Sequence, residues 1–474
     1  MLDMHKNRIP NDVHSIHLTA VCGTGMGALA VMLKDLGYAV TGSDHNVYPP
    51  MSDFLAQKGI PVANGYRSEN LDHRPDLVVV GNAISKDNPE ALRMVELGLF
   101  FCSMPQALNH LVADGKNPIV ITGTHGKTTT AALVAWLLYK AGLDPTFMIG
   151  GILKNFDTNY RLGKGSDFIV EGDEYDTAFF DKGSKFLHFA PHTAILTSIE
   201  FDHADIFRDL DHVKAAFGRF TSAMGPRSVL IAFGEDANVA SVLNPLRCRV
   251  ETYGRGTGSC WQLSRVRIEP PCTQFDLYRQ DRLFGTFRTR LMGDHNLLNT
   301  VAALAVADRF DIAPDDIQNG LETFESVRRR QEVRGRENGI TVMDDFAHHP
   351  TAVRETLRAV KPFYPEGRVL AVFEPRTNTS MRNVFQTIYP RCFDDADVIC
   401  IRKPPLLQKI PSDRRFSSER LVDDLRKSGK NAHYFLNTED IIEFVCREAA
   451  AGDLVLIMSN GGFDNIHQRL LESL

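Results

Sequence analysis

Short apolar runs alternate with amphipathic segments through the first part of the chain. The runs at residues 15–22, 38–44 and 76–81 predict strands, and residues 26–36 predict a helix between the first two. Strands that alternate with helices are typical of a parallel sheet covered by helices on its faces. We therefore predict an α/β domain over residues 1–113.

The alternation of strands and helices begins again after a linker at residues 114–118, and once more near Arg328. In the middle of the chain it predicts strands at 118–121, 167–170 and 193–197, helices at 131–138 and 296–308, and a small antiparallel patch at about 228–290. From Arg328 onward it predicts strands at 339–344, 369–373, 398–401 and 454–458, with a helix at 351–360. The predicted fold is α/β with three domains, at residues 1–113, 114–327 and 328–474.

Composition narrows the class of protein. A length of 474 residues suggests about three domains, and a net charge of −6 offers no basic surface for nucleic acid. No apolar run is long enough for a membrane span, and the first residues lack the apolar core of a signal peptide. The eight cysteines form no Cys-x-x-Cys pair, which favours reduced thiols. We expect a cytoplasmic protein, either a monomer or a homodimer.

The segment from Thr122 to Thr130 is a candidate phosphate loop between a strand and a helix. A tight turn before a helix directs backbone N–H groups and the positive end of the helix dipole toward one point. Lys127 can then reach the outer phosphates of a nucleotide, and the Thr128 hydroxyl can bind Mg²⁺. The usual motif has glycine where this chain has Ile121, so an ordinary turn is the alternative. The candidate ATP-binding residues of the loop are Gly123, Thr124, His125, Gly126, Lys127, Thr128 and Thr129.

A second glycine loop follows the first predicted strand. It reads Gly23-Thr24-Gly25-Met26-Gly27, and Asp44 ends the next strand. Glycines that admit a pyrophosphate and an acid that binds a ribose hydroxyl indicate a diphosphate site. NAD, FAD and a UDP-sugar all fit this pattern, and a turn without a ligand is the alternative. A dehydrogenase would leave the phosphate loop unused.

Two acidic runs follow predicted strands in the middle of the chain. Residues 171–176 (Glu-Gly-Asp-Glu-Tyr-Asp) follow one strand, and residues 200–203 (Glu-Phe-Asp-His) follow another. If these strands flank the phosphate-loop strand, Thr128, Glu171 and His203 would converge at one edge of the sheet. Oxygen and imidazole ligands beside a phosphate suit Mg²⁺ or Mn²⁺. Solvated acidic loops are the alternative.

These segments, in this order, resemble the motif series of the Mur ligases. The series continues with Gly293-Asp294-His295-Asn296 and with residues 344–350 (Asp-Asp-Phe-Ala-His-His-Pro), so the resemblance covers nearly the whole chain. It implies a Rossmann-like first domain that holds the UDP of a UDP-N-acetylmuramoyl substrate. It also implies a P-loop ATPase-like middle domain for ATP and Mg²⁺, and a Rossmann-like third domain for the incoming amine. The implied reaction forms an amide bond at the cost of ATP.

The resemblance also implies roles for single residues. Lys127 would contact the transferred phosphate, Thr128 the first Mg²⁺, and Glu171 with His203 the second. His348 would lie near the amine as a general base, a structural histidine being the alternative. The further residues implied for ATP are His295, Asn296, Arg330, Asp345 and Phe346, where Arg330 has a solvated helix end as its alternative. Those implied for the UDP-sugar are Gly23, Thr24, Gly25, Met26, Gly27, Asp44 and Asn82.

Two branches of the family join an amine to UDP-N-acetylmuramate itself. One adds L-alanine, and the other attaches the recycled cell-wall tripeptide L-alanyl-γ-D-glutamyl-meso-diaminopimelate. The stretches that resemble the tripeptide branch are residues 42–51, 181–186, 201–207, 374–379 and 458–463. Arg376, Ser459 and Asn460 follow strand ends in the third domain and would bind the peptide, because a guanidinium suits a carboxylate. A P-loop phosphotransferase and an NAD-dependent oxidoreductase remain the alternatives from other classes.

Overall fold

The structure, a computed structural model, describes residues 2–49 and 51–474. Pro50, which belongs to one of the stretches that resemble the tripeptide branch, lies outside the described residues. The chain divides into two units. The first unit contains the residues up to Ile199, together with Asp211–Thr252 and Ala302–Asp316. The second unit contains Glu200–Leu210, Tyr253–Val301 and Ile317–Leu474.

The N-terminal part of the first unit is a parallel sheet with strand order β3-β2-β1-β4-β5. Its elements are β1 (Ser15–Thr19), α1 (Thr24–Asp35), β2 (Ala39–Asp44), α2 (Met51–Gln57), β3 (Val62–Asn64), β4 (Leu77–Val80), α3 (Pro89–Glu96), β5 (Phe100–Ser103) and α4 (Met104–Ala107). The predicted parallel sheet is confirmed. Strand β1 ends before the predicted Cys22, because Ala20 has a φ of 61° and turns the chain.

The middle of the chain forms a second, larger sheet together with a short two-stranded one. Its elements as far as the second acidic run are β6 (Asn117–Thr122), α5 (Lys127–Lys140), β7 (Thr146–Leu153), β8 (Thr158–Arg161), β9 (Asp167–Gly172), β10 (Asp176–Ala178), β11 (Asp181–Ser184) and β12 (Thr193–Leu196). Strand β6 lies between β12 and β9 and pairs in parallel with both. The loops that follow these three strands therefore leave the sheet at one edge.

The next elements are α6 (Leu210–Ala223), β13 (Val229–Phe233), α7 (Ala237–Ala240), β14 (Arg249–Gly254), β15 (Trp261–Glu269), β16 (Cys272–Arg279), β17 (Arg282–Thr289), α8 (Asp294–Asp308) and α9 (Pro314–Thr323). The predicted antiparallel patch is confirmed for β15, β16 and β17 only. Strand β13 instead pairs in parallel with β12. Its continuous apolar sequence is that of a strand buried on both faces, which explains the difference.

The C-terminal part has strand order β18-β19-β23-β20-β21-β22, and of these six described strands β18 joins the sheet antiparallel while the other neighbours pair in parallel. Its elements are β18 (Glu332–Glu337), β19 (Ile340–Asp345), α10 (Pro350–Val360), β20 (Val369–Phe373), β21 (Val398–Arg402), α11 (Ser418–Lys427), β22 (Ala432–Phe435), α12 (Thr438–Glu448), β23 (Leu454–Met458) and α13 (Ile466–Ser473). Alternate residues of β20 enter two separate cores, one on each face of the sheet. This arrangement explains why its sequence is apolar throughout.

Two observations bear on the class of protein. Across residues 2–49 and 51–474, none of the helices is both long enough and apolar enough to cross a bilayer. All eight cysteines are free thiols. The α/β fold class is confirmed in both units.

Candidate active site

The phosphate loop is anchored to the end of β12. The N–H groups of Thr124 and His125 donate to the backbone oxygen and side-chain oxygen of Ser198, at 2.9 and 3.1 Å. Gly123 has a φ of +127°, and a side chain there would lie 2.9 Å from the Ser198 nitrogen. Only glycine satisfies both the backbone angle and the close approach. The loop N–H groups that point to a ligand are therefore those at the start of α5.

Helix α5 begins at Lys127, with Gly126 as its N-cap residue. Among the described residues no side chain caps this end, so its first N–H groups remain available to an anion. Thr128 and Thr129 lie in the same turn and are nearly buried. The start of α5 has the geometry of a phosphate site.

Lys127 lies within a buried cluster of charges. Its Nζ donates to the Gly123 carbonyl at 2.6 Å and to Glu174 at 3.0 Å, and the side chains of Lys127 and Glu174 are only 12% and 2% exposed. Burial opposes the charge on Lys127, but Glu174 and Asp173 outweigh it and raise the pKa of the ammonium group. Lys127 is therefore held as a cation with a fixed direction.

Glu171 and Thr128 meet beside this cluster. The Thr128 hydroxyl donates to Glu171 at 3.1 Å, and the Gly150 N–H donates to the other carboxylate oxygen at 2.6 Å. Burial, and then the charge of Asp173, raises the pKa of Glu171. A carboxylate whose charge is disfavoured in this way gains from a nearby cation.

The charges around Glu171 favour the binding of a divalent cation. Asp173 is paired with Lys185 at 3.3 Å. Burial alone would raise the pKa of Asp173, but the charges of Lys185 and Lys127 outweigh burial and lower it. Three carboxylates in this cluster therefore face two ammonium groups. The hydroxyl and carboxylate oxygens of Thr128 and Glu171 are donors that Mg²⁺ prefers. The residues present fit a divalent cation.

The N-terminal glycine loop lies at the switch point of its sheet. Strands β1 and β4 are neighbours there, and the glycine loop follows β1 while the exposed Asn82 follows β4. Gly23 is the N-cap residue of α1, and none of the described side chains caps that helix. Ligands of open α/β sheets bind at such a position.

Asp44 supports this loop from the neighbouring strand. Its carboxylate accepts hydrogen bonds from the Cys22 N–H at 2.9 Å and the Asn46 N–H at 3.0 Å. Asp44 is 8% exposed. The acid predicted to bind a ribose hydroxyl therefore holds the backbone on both sides of the site in this structure.

The second acidic run is part of the second unit and contacts the C-terminal residues. The Thr351 hydroxyl donates to Glu200 at 2.6 Å, and Asn378 donates to Asp205 at 2.9 Å. His203 has a φ of 51° and lies within this run. Its role as a metal ligand stays a prediction.

His348 and Asp202 face each other in the second unit. His348 Nε2 lies 3.9 Å from the Asp202 carboxylate, and Nδ1 lies 2.9 Å from the Phe346 carbonyl. Burial would raise the pKa of Asp202, but His348, His203 and His349 outweigh it and lower the pKa well below its usual range. A carbonyl at Nδ1 favours the tautomer with its proton there, which leaves Nε2 as the basic nitrogen.

The residues predicted to hold the nucleotide from the second unit form one group. The guanidinium of Arg330 lies 4.8 Å from the centre of the Phe346 ring. Asp345 accepts from the Gln331 N–H at 2.9 Å and the Ala347 N–H at 2.8 Å. Burial raises the pKa of Asp345 although Arg330 opposes it. The Arg330–Phe346 contact and the hydrogen bonds to Asp345 therefore join the segments at residues 330–331 and 345–347.

The other two predicted nucleotide residues lie at the start of α8. His295 belongs to its first turn. The Asn296 amide donates to the Met292 carbonyl at 2.9 Å and to the Gln331 side chain at 3.1 Å. Asn296 therefore ties the start of α8 to the segment that carries Arg330.

The predicted peptide-binding residues follow the neighbouring strands β20 and β23. Ser459 donates through its hydroxyl to Glu374 at 2.7 Å. Arg329 donates to the carbonyls of Ser459 and Gly461 at 2.6 and 2.7 Å. Residues 328–330 are three successive arginines that lie beyond the end of α9 at Thr323, so the alternative of a solvated helix end for Arg330 is wrong. Sequence reasoning singled out Arg330 in that run and missed Arg329.

Three family models match the chain one after another. They are described as the Mur ligase family, catalytic domain (residues 15–116), the Mur ligase middle domain (residues 121–307) and the Mur ligase, glutamate ligase domain (residues 329–461). Together they span nearly the whole sequence, and they account for three α/β domains.

Known relatives match with similar coverage. The UDP-N-acetylmuramate–L-alanyl-γ-D-glutamyl-meso-2,6-diaminoheptandioate ligase of Escherichia coli (strain K12) is 38% identical over 97% of this chain and 98% of its own length. The UDP-N-acetylmuramate–L-alanine ligase of Clostridium botulinum (strain Loch Maree) is 34% identical over 94% of this chain and 95% of its own. The crystal structure of a murein peptide ligase from Psychrobacter arcticus superposes with a TM-score of 0.72, at 34% identity, over 97% of this chain and 98% of that one.

Proposed function

Because this chain belongs to the Mur ligase family, we propose that it joins L-alanyl-γ-D-glutamyl-meso-diaminopimelate to UDP-N-acetylmuramate, with cleavage of ATP to ADP and phosphate. One observation carries the proposal: of the two relatives described above, the ligase named for this tripeptide is the more similar, and it matches almost from end to end. The reaction would return recycled cell-wall peptide to the precursor pool. It uses ATP and a UDP-sugar, which favours the cytoplasm as its location.

The first step is the formation of an acyl phosphate. The lactyl carboxylate of UDP-N-acetylmuramate attacks the γ-phosphorus of ATP, the bond to the bridging oxygen breaks, and ADP leaves. Lys127 lies next to the helix start that would hold the phosphates, and its ammonium group would neutralise charge on the transferred group. Thr128 and Glu171 would hold Mg²⁺, which would add to this neutralisation when bound.

The second step is the attack of the amine on the acyl phosphate. The peptide nitrogen forms the amide bond to the acyl carbon, and phosphate leaves with the bonding electrons. The amine must lose a proton, and the basic Nε2 of His348 is suited to accept it, because Asp202 would stabilise the resulting imidazolium. Arg376 would bind a carboxylate of the peptide, with Ser459 and Asn460 beside it.

An ADP-release assay with the full-length protein tests the proposal. We expect ADP to form only when ATP, Mg²⁺, UDP-N-acetylmuramate and the tripeptide are all present. Mass spectrometry should then detect the UDP-N-acetylmuramoyl tripeptide. ADP release that depends on L-alanine and not on the tripeptide would refute the proposed branch.

The second candidate is the L-alanine ligase, which the similarity to the Clostridium botulinum enzyme favours. It is distinguished by the ratio of kcat/KM for the two amines. The same assay without UDP-N-acetylmuramate would reveal a phosphotransferase or an ATPase, since neither requires the sugar.

A further inference from the structure

The side chain of Arg376 lies across the backbone of Gly461. A Cβ atom at Gly461 would come within 2.7 Å of Arg376 Cζ, and it would also contact Cδ and Nε. Such a distance is too short for carbon atoms in contact, so the arginine would have to move. At the neighbouring Gly462, a Cβ atom would have no atom of the described residues within 4 Å. A methyl group would therefore displace the arginine at Gly461 and would meet open space at Gly462.

Glu374 holds the charged end of Arg376 in place. It is fully buried, and its carboxylate lies 3.5 Å from Arg376 Nη1. The same carboxylate accepts from the Ser459 hydroxyl at 2.7 Å and from the Arg402 guanidinium. A buried carboxylate with these fixed partners cannot turn away, so it gives Arg376 a defined direction.

The neighbouring cation, Arg402, is already paired with two carboxylates, those of Glu374 and Asp464. Its second nitrogen donates to Asp464 at 2.6 Å, and its side chain is only 10% exposed. Arg376 is 31% exposed, and Glu374 is the carboxylate that it shares with Arg402. Of the two guanidinium groups, Arg376 is thus the one that can still bind an anion.

The loop that contains Gly461 is fixed at both ends. At one end the Ser459 N–H donates to the Asp345 carbonyl at 3.1 Å. At the other end Phe463, Asp464 and Asn465 have φ values of 46°, 49° and 57°. Three successive non-glycine residues in the left-handed region are unfavourable, so the contacts of Asp464 must hold them there. The loop cannot easily withdraw from a larger side chain at Gly461.

We propose that Gly461 and Glu374 position Arg376 to bind a carboxylate of the incoming amine, and so determine which amines react. Gly461 provides the space through which the side chain passes, and Glu374 fixes its guanidinium. This inference rests on the proposed function, in which Arg376 recognises the amine substrate. Both residues act through Arg376 and are positioning residues.

The test compares Gly461→Ala with Gly462→Ala in the ADP-release assay. We expect Gly461→Ala to raise KM for the tripeptide by about tenfold or more, because a charge-assisted hydrogen bond is misaligned. KM for ATP and kcat at saturating peptide should stay close to those of the original protein. Gly462→Ala should change these constants by no more than about twofold. An unchanged tripeptide KM in Gly461→Ala would overturn the proposal.

A double-mutant cycle separates positioning from a general effect on the fold. In an Arg376→Ala background, Gly461→Ala should have almost no further effect on kcat/KM for the amine, since the side chain that it displaces is gone. An effect of the same size in both backgrounds would contradict the inference. Glu374→Gln tests the other positioning residue, because it removes the charge that fixes Arg376 while the amide keeps an oxygen for Ser459. We expect KM to rise for the amine and not for ATP.

Failure of the proposed function gives a different result. If L-alanine and not the tripeptide supports turnover, the branch is wrong, and the cycle is then measured with L-alanine. A rise in KM for L-alanine that disappears without Arg376 would still support positioning by Gly461. No rise would overturn it for either substrate.

Discussion

Replacing Lys127 with methionine should reduce stability as well as activity. Lys127 and Glu174 are paired at 3.0 Å with side-chain exposures of 12% and 2%, so the pair is buried. Methionine keeps much of the side-chain volume and removes the charge. The buried carboxylate of Glu174 would lose its ammonium partner, while Asp173 and Glu171 remain nearby.

The size of the effect follows from the burial of the pair. Removing one partner of a buried ion pair costs about 3–5 kcal/mol. For a domain of roughly 150–250 residues, each kcal/mol lowers the melting temperature by about 2–4 °C. We therefore expect Lys127→Met to lower the melting temperature by about 6–20 °C. The double variant Lys127→Met with Glu174→Gln should recover most of this loss, because no unpaired charge is left at Glu174.

Thermal unfolding followed by circular dichroism, without nucleotide, measures the stability, and ADP release measures the activity. Lys140→Met is the matched control, since Lys140 is exposed in the last turn of the same helix. It should change stability by no more than about 0.5 kcal/mol. If Lys127→Met had the same melting temperature as the original protein, the stabilising role of the buried Lys127–Glu174 pair would be refuted. If the double variant regained activity along with stability, the role of Lys127 at the phosphate would be refuted.

Three further predictions concern the phosphate loop, the cation and the response to acid. Gly123→Ala should abolish ATP binding measured by calorimetry, because of its φ of +127° and its approach to Ser198, whereas Gly218→Ala, with open space around it, should bind normally. Thr128→Val should raise the Mg²⁺ concentration needed for half-maximal activity, and Thr128→Ser should not. Asp453 is buried, which would raise its pKa, but hydrogen bonds from Arg368 and Ala450 outweigh burial and lower it. Its stabilising contribution is therefore present above the unfolded pKa of about 3.9 and is lost as pH falls through the lower folded value. Asp453→Asn should therefore destabilise the protein at pH 7, and chemical denaturation at decreasing pH should show this difference shrinking below the unfolded pKa.

Regular elements were predictable where the local pattern decides the structure. The strands at residues 369–373 and 454–458 have the predicted bounds, since both are apolar throughout and buried on both faces. Helix α5 begins earlier than residue 131, at Lys127, because the phosphate loop itself forms its first turn. The pairing of β13 was misjudged, since short alternation in the sequence does not reveal which neighbour a strand finds.

The sequence predicted the part of the candidate site that lies at the ends of strands. The pattern places Thr128 and Glu171 after adjacent strands, and their contact follows from the parallel sheet. Two other contacts join residues far apart in the chain. They are the ion pair of Lys127 with Glu174 and the hydrogen bond from the Cys22 N–H to Asp44. Such contacts depend on side-chain packing, which a single sequence does not specify. The roles of the site residues stay predictions for the experiments above.

The order in which the chain visits its two units limits how the protein can be taken apart. It crosses from one unit to the other after Ile199, Leu210, Thr252, Val301 and Asp316. No single cut in the backbone separates the units intact, so neither can be expected to survive as a simple terminal truncation. Recombination with a relative through one crossover would likewise exchange fragments of both.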